Sequence, residues 1–409
     1  MFEMGLQGQL RLGARIVGAL GQIAVDRVGE VTGRALPRTR EQIADAAVIN
    51  SLVEQYAPAG QPRLPRVQAA SLPGVEFESS NCINFLVALE FAESTVSHGE
   101  LPKTAYVKLP CPEVATRAFA NAVGFWEVEA TFCQQVAARV PIRVPMVYAA
   151  GYKGARFVLL LENLHESPGT KLFINRDMAA GTTIERARMC LRTFADLHAE
   201  FWAWSKEQRD ALLPARLHTY LAPGARELTG ALNAAAIAPA HKAAPDIFTA
   251  EHAAIARMAT DKWDQLIDTW YSEPLTLVHG DSHLANFFEY PGPNTAQMGM
   301  IDFQGMHWCQ GIRDVQYFLI NSLEPDLLAA HEDSLIDFYI DQLAQRGVRL
   351  AKDLAVQQYR AYAFQTLMVA VTSIGLGTLT ERDETVLTIL RRSVAAMDRL
   401  GFGEWIKTL

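Results

Sequence analysis

Several features that would assign a chain to a class at once are missing from this sequence of 409 residues. Its five cysteines (Cys82, Cys111, Cys133, Cys190 and Cys309) are scattered, odd in number and never in a C-x-x-C pair. That excludes a disulfide framework and fits reduced thiols in a cytoplasmic setting. No apolar run reaches the length of a membrane span. Basic residues are not in excess: the formal net charge is -8, whereas a nucleic-acid partner selects net-basic faces. Internal repeats and low-complexity tails are absent as well. At the start, glycines and Gln22 interrupt the most apolar piece, "IVGALGQIAV", and Glu3 sits where a signal peptide would be basic. What remains is a globular composition, too long for one core and therefore divided into lobes.

Periodicity organises the rest. Leu6, Leu10, Val17, Leu20, Ala24 and Val28 fall roughly on one helical face. This predicts an amphipathic helix whose apolar side packs on the body of the protein. A membrane-surface helix is the alternative, and the few basic residues on its polar side speak against it. "TREQIADAAVINSLVEQY" predicts a helix over about 40–57 capped by Thr39, ended by the Pro-rich "APAGQPRLPR". Residues 1–65 are thus an N-terminal helical extension. Over 66–165, "GVEFESSNCINFLVALEFA", "KTAYVKLP" and "ARFVLLLENL" predict strands and 114–139 a helix. From 166 to 409 the pattern is mainly helical, with the short strands "NFFEY" and "MGMIDF" around "PGPN". An Ala-rich insertion at about 215–250 predicts a mobile lid or a solvent-facing helix pair. The fold class is α+β: a small mixed-sheet N-lobe followed by a mainly helical C-lobe.

The chemistry concentrates in "LVHGDSHLANFF", residues 277–288. One reading is a metal site from His279, Asp281 and His283. No second His/Asp cluster elsewhere completes it. Another is a "GDS" serine nucleophile at Ser282, but it lies two-thirds of the way along and ahead of helices rather than alternating strands. The third rests on spacing: His279, Asp281 and Asn286 reproduce H-x-D-x-x-x-x-N, and Asp302 follows in "IDFQ" beyond a hairpin. Phosphoryl transfer needs an aspartate facing the attacking hydroxyl, and hard oxygen ligands for the Mg²⁺ that bridges the phosphates. It also needs a lysine on a strand and a glutamate on the next helix. "AYVKLP" offers Lys108 in an apolar strand, where an unpaired ammonium would be costly. "FWEVEATF" offers Glu127 and Glu129, of which Glu129 stands three residues before Phe132.

Together "VKLP", "EVEATF", "VLLLENL", "LRTFADLHAEFW", "VHGDSHLANFF" and "IDFQGMHWCQGIRDVQYFLINSLEPD" resemble the aminoglycoside phosphotransferase and choline kinase superfamily. Within it the chain looks like the ecdysteroid-kinase-like branch, over about residues 70–400. The resemblance implies a bilobal, protein-kinase-like fold and Mg-ATP-dependent phosphorylation of a small-molecule hydroxyl. By it, Asp281 is the catalytic base, Asn286 and Asp302 are Mg²⁺ ligands, Lys108 binds phosphate and Glu129 is its ion-pair partner. The backbone at Glu162, Asn163 and Leu164 corresponds to the adenine-reading hinge. Asp314 and His279 brace the catalytic loop, and His198 and Trp202 pack beneath the site. Two positions depart from the pattern. The turn over the nucleotide is "ESSN", without glycine, so Ser79, Ser80 and Asn81 would have to supply the hydrogen bonds; and Ala285 stands where glycine is common. An idle nucleotide- or metabolite-binding protein on the same fold, and a metal-dependent hydrolase, are the alternatives. For the acceptor, Trp308, Tyr317, Glu324 and Asp326 are candidate pocket residues, and a lipophilic alcohol is the favoured class.

Overall fold

The computed structural model describes residues 6–31, 35–77, 79, 81–92, 101–202, 204–218, 220–377 and 384–409. The chain divides into two compact units. One, the sheet unit, comprises residues 13–171 and the short segment 300–305. The other, the helical unit, comprises 1–12, 172–299 and 306–409.

The sheet unit is built on six strands: β1 (Val67–Ser71), β2 (Glu76–Phe77), β3 (Cys82–Phe91), β4 (Thr104–Pro110), β5 (Val147–Lys153) and β6 (Arg156–Glu162). They lie in the order β1-β3-β4-β6-β5, with β2 paired to β3. The sheet expected to be mixed is antiparallel in every registered pair, because neighbouring strands are joined by hairpins or return through them. Alternation along the strands gives the sheet two faces. Phe85, Val87, Leu89, Ala105, Val107, Leu109, Val158 and Leu160 form one core with Ile49, Leu52 and Val53 of the helix Ala46–Tyr56. That helix does not run on from 40: Thr39 caps a single turn, Arg40–Ile43, and Asp45 caps the longer helix separately. The opposite face of β4 carries Lys108, out of phase with Val107 and Leu109. Over this face lies the helix Phe125–Thr131, whose Trp126 stacks on Phe157 of β6 at 5.4 Å.

The N-terminal helix, Leu6–Val31, docks by a face other than the apolar one. Ala19, Ile23 and Asp26 are buried, and the Asp26 carboxylate meets Arg117 at 2.8 Å. Leu6, Leu10, Val17, Leu20 and Val28 are exposed. The expectation that this apolar stripe packs on the body is therefore corrected: the buried ion pair, not the stripe, seats the helix.

The helical unit has its own short strands. β8 (Thr276–Val278) pairs with β11 (His307–Cys309), and β9 (Phe287–Pro291) lies between β7 (Lys171–Leu172) and β10 (Ala296–Met300). The Ala-rich stretch contains a packed helix, Ala225–Ala243, with Gly230, Asn233, Ala236, Ile237 and Ala240 buried. Its small residues permit a close approach to the helix Ala363–Gly375. A Cβ added at Gly375 would stand 2.2 Å from the Ala236 carbonyl oxygen. Among the described residues no helix is long and apolar enough to cross a membrane.

Replacing Gly375 by alanine should therefore force these two helices apart. We expect a loss of about 1–3 kcal/mol in urea unfolding, and an unchanged midpoint would show that the contact is slack.

Candidate active site

In the sheet unit the predicted residues come together around one buried ammonium. Lys108 is 4% exposed on the central strand β4, and its Nζ lies 2.7 Å from Glu129 Oε1 and 3.4 Å from Asp302 Oδ1. Of the two glutamates on the facing helix, Glu129 is the one that turns inward. Trp126, one turn earlier on the same helical face, anchors it against the sheet. Burial alone would push the Lys108 ammonium down, but Asp302 and Glu129 outweigh it and hold the group well above its ordinary value. Asp302 sits at φ 64° and is the one non-glycine with positive φ among the described residues. Such a conformation costs free energy and persists only where its surroundings over-determine it. Phe303 stacks on Phe132 at 3.7 Å, and Gln304 accepts a hydrogen bond from the Asn81 amide at 2.9 Å. These contacts clamp Asp302 from the residue that follows it and the next one. Its Oδ1, within ion-pair reach of Lys108, is buried without a hydrogen bond, as is Glu129 Oε2.

In the helical unit one carboxylate organises the loop after β8. Asp314, fully buried, accepts the backbone N–H groups of His279 (2.6 Å) and Gly280 (3.1 Å). It also meets Arg313 at 3.1 Å and His198 Nε2 at 3.2 Å. Burial would raise its pKa, but His198 and Arg313 outweigh that and hold it far below the usual carboxylate range. With the His198 Nε2–H directed at Asp314, its Nδ1 accepts from the Tyr339 hydroxyl at 2.8 Å. Gly311 is needed beside this pair, since a Cβ there would stand 2.6 Å from Tyr339 Oη and 2.9 Å from His198 Nδ1.

The loop so held presents Asp281. The Tyr317 hydroxyl donates to its Oδ1 at 3.0 Å, His283 Nε2 is 3.6 Å away, and Asn286 Nδ2 lies 3.3 Å from Oδ2. Against burial, the neighbouring His283 and the hydrogen bond from Tyr317 keep this carboxyl well below its ordinary pKa. Asn286 Nδ2 also donates to the Asp281 carbonyl at 2.7 Å. Its amide nitrogen is thus committed, which leaves Oδ1 as the polar atom to offer a cation.

A sequence profile described as the ecdysteroid kinase-like family matches residues 86–351, well over half of the chain. The chain belongs to that family. A search of curated protein sequences finds no match. Solved structures with some likeness include a microcompartment-associated aminopropanol kinase, at 14% identity and TM-score 0.48, covering 86% of this chain and 95% of that one. The Plasmodium vivax ethanolamine kinase shows 11% identity and TM-score 0.46, covering 80% and 82%. The choline kinase of Cryptosporidium parvum shows 12% identity and TM-score 0.43, covering 83% and 89%. Similarity at this level carries no information about substrate.

The other residues singled out in this kinase-like chain are placed as follows. Ser79 is exposed in the turn between β2 and β3, and Ser80 lies outside the described residues. Asn81 is buried with its amide on Gln304. Glu162 is committed to Arg143 (2.5 Å), the Met146 N–H (2.9 Å) and Ser167 (2.9 Å). The Asn163 side chain caps the turn Leu164–Glu166 through the His165 N–H and donates to Thr104 at 2.8 Å. Ser282, once a nucleophile candidate, is fully buried and donates to the Asp314 carbonyl at 3.0 Å. His279 is equally buried, and its Nδ1 accepts the Asp281 N–H at 3.2 Å, so it does not open towards a metal. Among the described residues no group of three or more His, Cys, Asp or Glu side chains could hold a metal ion. Trp308 is walled in by Phe201 and Trp204. Glu324 is bound by Arg392.

Three partners were not anticipated from sequence: Tyr317 on Asp281, Gln304 on Asn81, and Tyr339 behind His198. The first had a visible signal, because Tyr317 follows Asp314 by three residues and so shares its helical face. The other two join stretches too distant for any spacing rule.

Removing the Asp314 carboxylate should strand Arg313 and two loop N–H groups. For Asp314→Ala we expect a loss of about 3–5 kcal/mol in denaturant unfolding. Because the folded pKa is depressed, this stabilisation is complete above about pH 4 and falls away as the pH drops further. The acid limb of the stability profile should accordingly be shallower in Asp314→Asn than in the wild type; parallel limbs would contradict the assignment.

Proposed function

We propose that the protein transfers the terminal phosphoryl group of ATP, with Mg²⁺, to a hydroxyl group of a small molecule. The observation that carries this reading is the buried cluster of Lys108, Glu129 and the strained Asp302, assembled from three separate stretches of the sheet unit. A stability role alone is a poor account of it, since a buried ion cluster at a strained residue costs more than apolar side chains of similar volume. Lys108 holds a fixed positive charge for phosphate oxygens, and Glu129 keeps its Nζ in place. Each proposed ligand, taken singly, suits a small hard cation: Asp302 has a buried oxygen without a hydrogen bond, and Asn286 has only Oδ1 to give. Bound Mg²⁺ would neutralise charge on the phosphate oxygens as the bond to the leaving group breaks.

Asp281 faces the acceptor hydroxyl. A carboxylate held so far below its usual range is a weak proton acceptor. It therefore orients the hydroxyl through a hydrogen bond and takes the proton late, once the forming P–O bond has made that oxygen acidic. Tyr317 and Asn286 fix the plane of the carboxylate for this task. The backbone from Glu162 to Leu164 reads the adenine edge, and Ser79 supplies a hydroxyl near the phosphates. The acceptor is a lipophilic alcohol rather than a cation such as choline. Of the four side chains considered for its pocket, Glu324 is neutralised by Arg392, Asp326 is exposed and Trp308 is sealed in the core, while Tyr317 touches Asp281. A nucleotide-binding protein without transfer is the second reading. The observation on its side is that the Asn81 amide is spent on Gln304.

Transfer of labelled phosphate from ATP to a panel of sterol, terpenoid and amino alcohols tests the first reading. Asp281→Asn should lose about 10²–10⁴-fold in kcat while still binding ATP. Equal transfer by that variant would remove Asp281 from the role assigned to it, and ATP binding with no transfer to any alcohol by the wild type would favour the second reading. Chelation of divalent cations should abolish transfer, and added Mg²⁺ should restore it.

A further inference from the structure

The exposed stripe of the N-terminal helix has no place in the phosphotransfer reading. Leu6 is 74% exposed, Leu10 65%, Val17 69% and Val28 64%. From Leu6 to Val28 the stripe is about 33 Å long at 1.5 Å per residue. Its spacing is informative. Leu6, Leu10, Gly13, Val17, Leu20 and Ala24 follow one another at intervals of four, three, four, three and four residues, so they share one face of the helix, in an alternation that a two-helix seam can use. The positions flanking this seam (Gln7, Gln9, Ala14, Ile16, Gly21) carry no charge. Glycine inside an exposed helix costs about 1 kcal/mol against alanine, and at Gly13 and Gly21 a Cβ would find nothing of this chain within 4 Å. Of these, Gly13 lies in the seam itself, where the absence of a side chain would let a second helix approach closely.

We propose that this stripe pairs with the same stripe of a second copy of the chain, antiparallel, to form a two-fold symmetric dimer. The seam is complementary to its own reverse. Turned end for end about residue 15, it sets Leu10 against Leu20, Val17 against Gly13, and Leu6 against Ala24. Two of the three layers match a large side chain with a small one, and each pair recurs by symmetry, as an isologous interface requires. In a parallel pairing Gly13 would meet Gly13 and leave a void. A lipid surface fits less well. The basic residues that would flank a membrane-bound face are turned to the other side: Arg11 pairs with Glu227, and Arg15 donates to the Ala122 carbonyl.

Sedimentation of the full chain over a concentration series, with cysteine cross-linking, tests this. The wild type should be dimeric at about 10 μM, an affinity ordinary for an interface of modest area. Val17→Glu should weaken association by at least about 100-fold, since it places an unpaired carboxylate in the seam. Gly13→Leu should weaken it without adding charge. Both positions are exposed in the single chain, so neither variant should lose helix by circular dichroism, and Gly13→Leu should if anything stabilise the helix of the monomer. Mixed Leu10→Cys and Leu20→Cys chains should cross-link to each other, with the wild type as control for native thiols. A wild type that stays monomeric at about 100 μM would overturn the proposal. So would a Val17→Glu protein that remains dimeric, cross-links formed only between identical positions, or a monomer that sediments with phosphatidylcholine–phosphatidylserine vesicles through this helix.

Discussion

An ammonium group stays charged inside a protein only if carboxylates come to it, and Lys108 brings two. It sits on the central strand of the sheet unit, on the face opposite the apolar core. Glu129 arrives on a helix pinned by Trp126, and Asp302 returns from nearly two hundred residues further along. Without Lys108, Glu129 would be left as a buried carboxylate without its cation, and Asp302 would lose the partner beside its strained backbone. The return of residues 300–305 to the sheet unit is thus an electrostatic requirement as much as a topological one.

Asp314 plays the corresponding part in the helical unit, although by a different logic. It gathers two backbone donors, an arginine and a histidine, and so holds the loop before Asp281. The buried His279 then has a structural partner, and Ser282 is tied to a carbonyl. A crowded string of reactive residue types thereby reduces to one outward-facing acid and one amide, Asp281 and Asn286. Residue type alone overstated the chemistry of this segment. The hydrogen bonds removed the excess.

The N-terminal helix shows where periodicity informs and where it misleads. The regular recurrence of Leu6, Leu10, Val17, Leu20, Ala24 and Val28 does mark a helix with one apolar side. It does not say what that side meets. Ile23 and Ala19, with Asp26 at the end of their row, cover less apolar surface, yet they are the buried side, because Asp26 finds Arg117 and Arg156 waiting. Likewise the Ala-rich segment that composition suggested as a lid or solvent-facing pair contains a helix packed closely on Gly375. Small side chains are a sign of proximity as readily as of mobility.

From the sequence alone came the α+β class, the helix and strand types, and the family motifs, because these depend on local periodicity and on short fixed spacings. Also local were Lys108 on its strand and the Asp281–Asn286 loop. The tertiary structure decided the rest: that Glu129 rather than Glu127 turns inward, that Tyr317 holds Asp281, that Asn81 is tied to Gln304, and which face of the first helix is buried. Each of these depends on a partner far away in the chain, and on how the cost of burying a charge is met there. Spacing along one strand or helix holds no information about that.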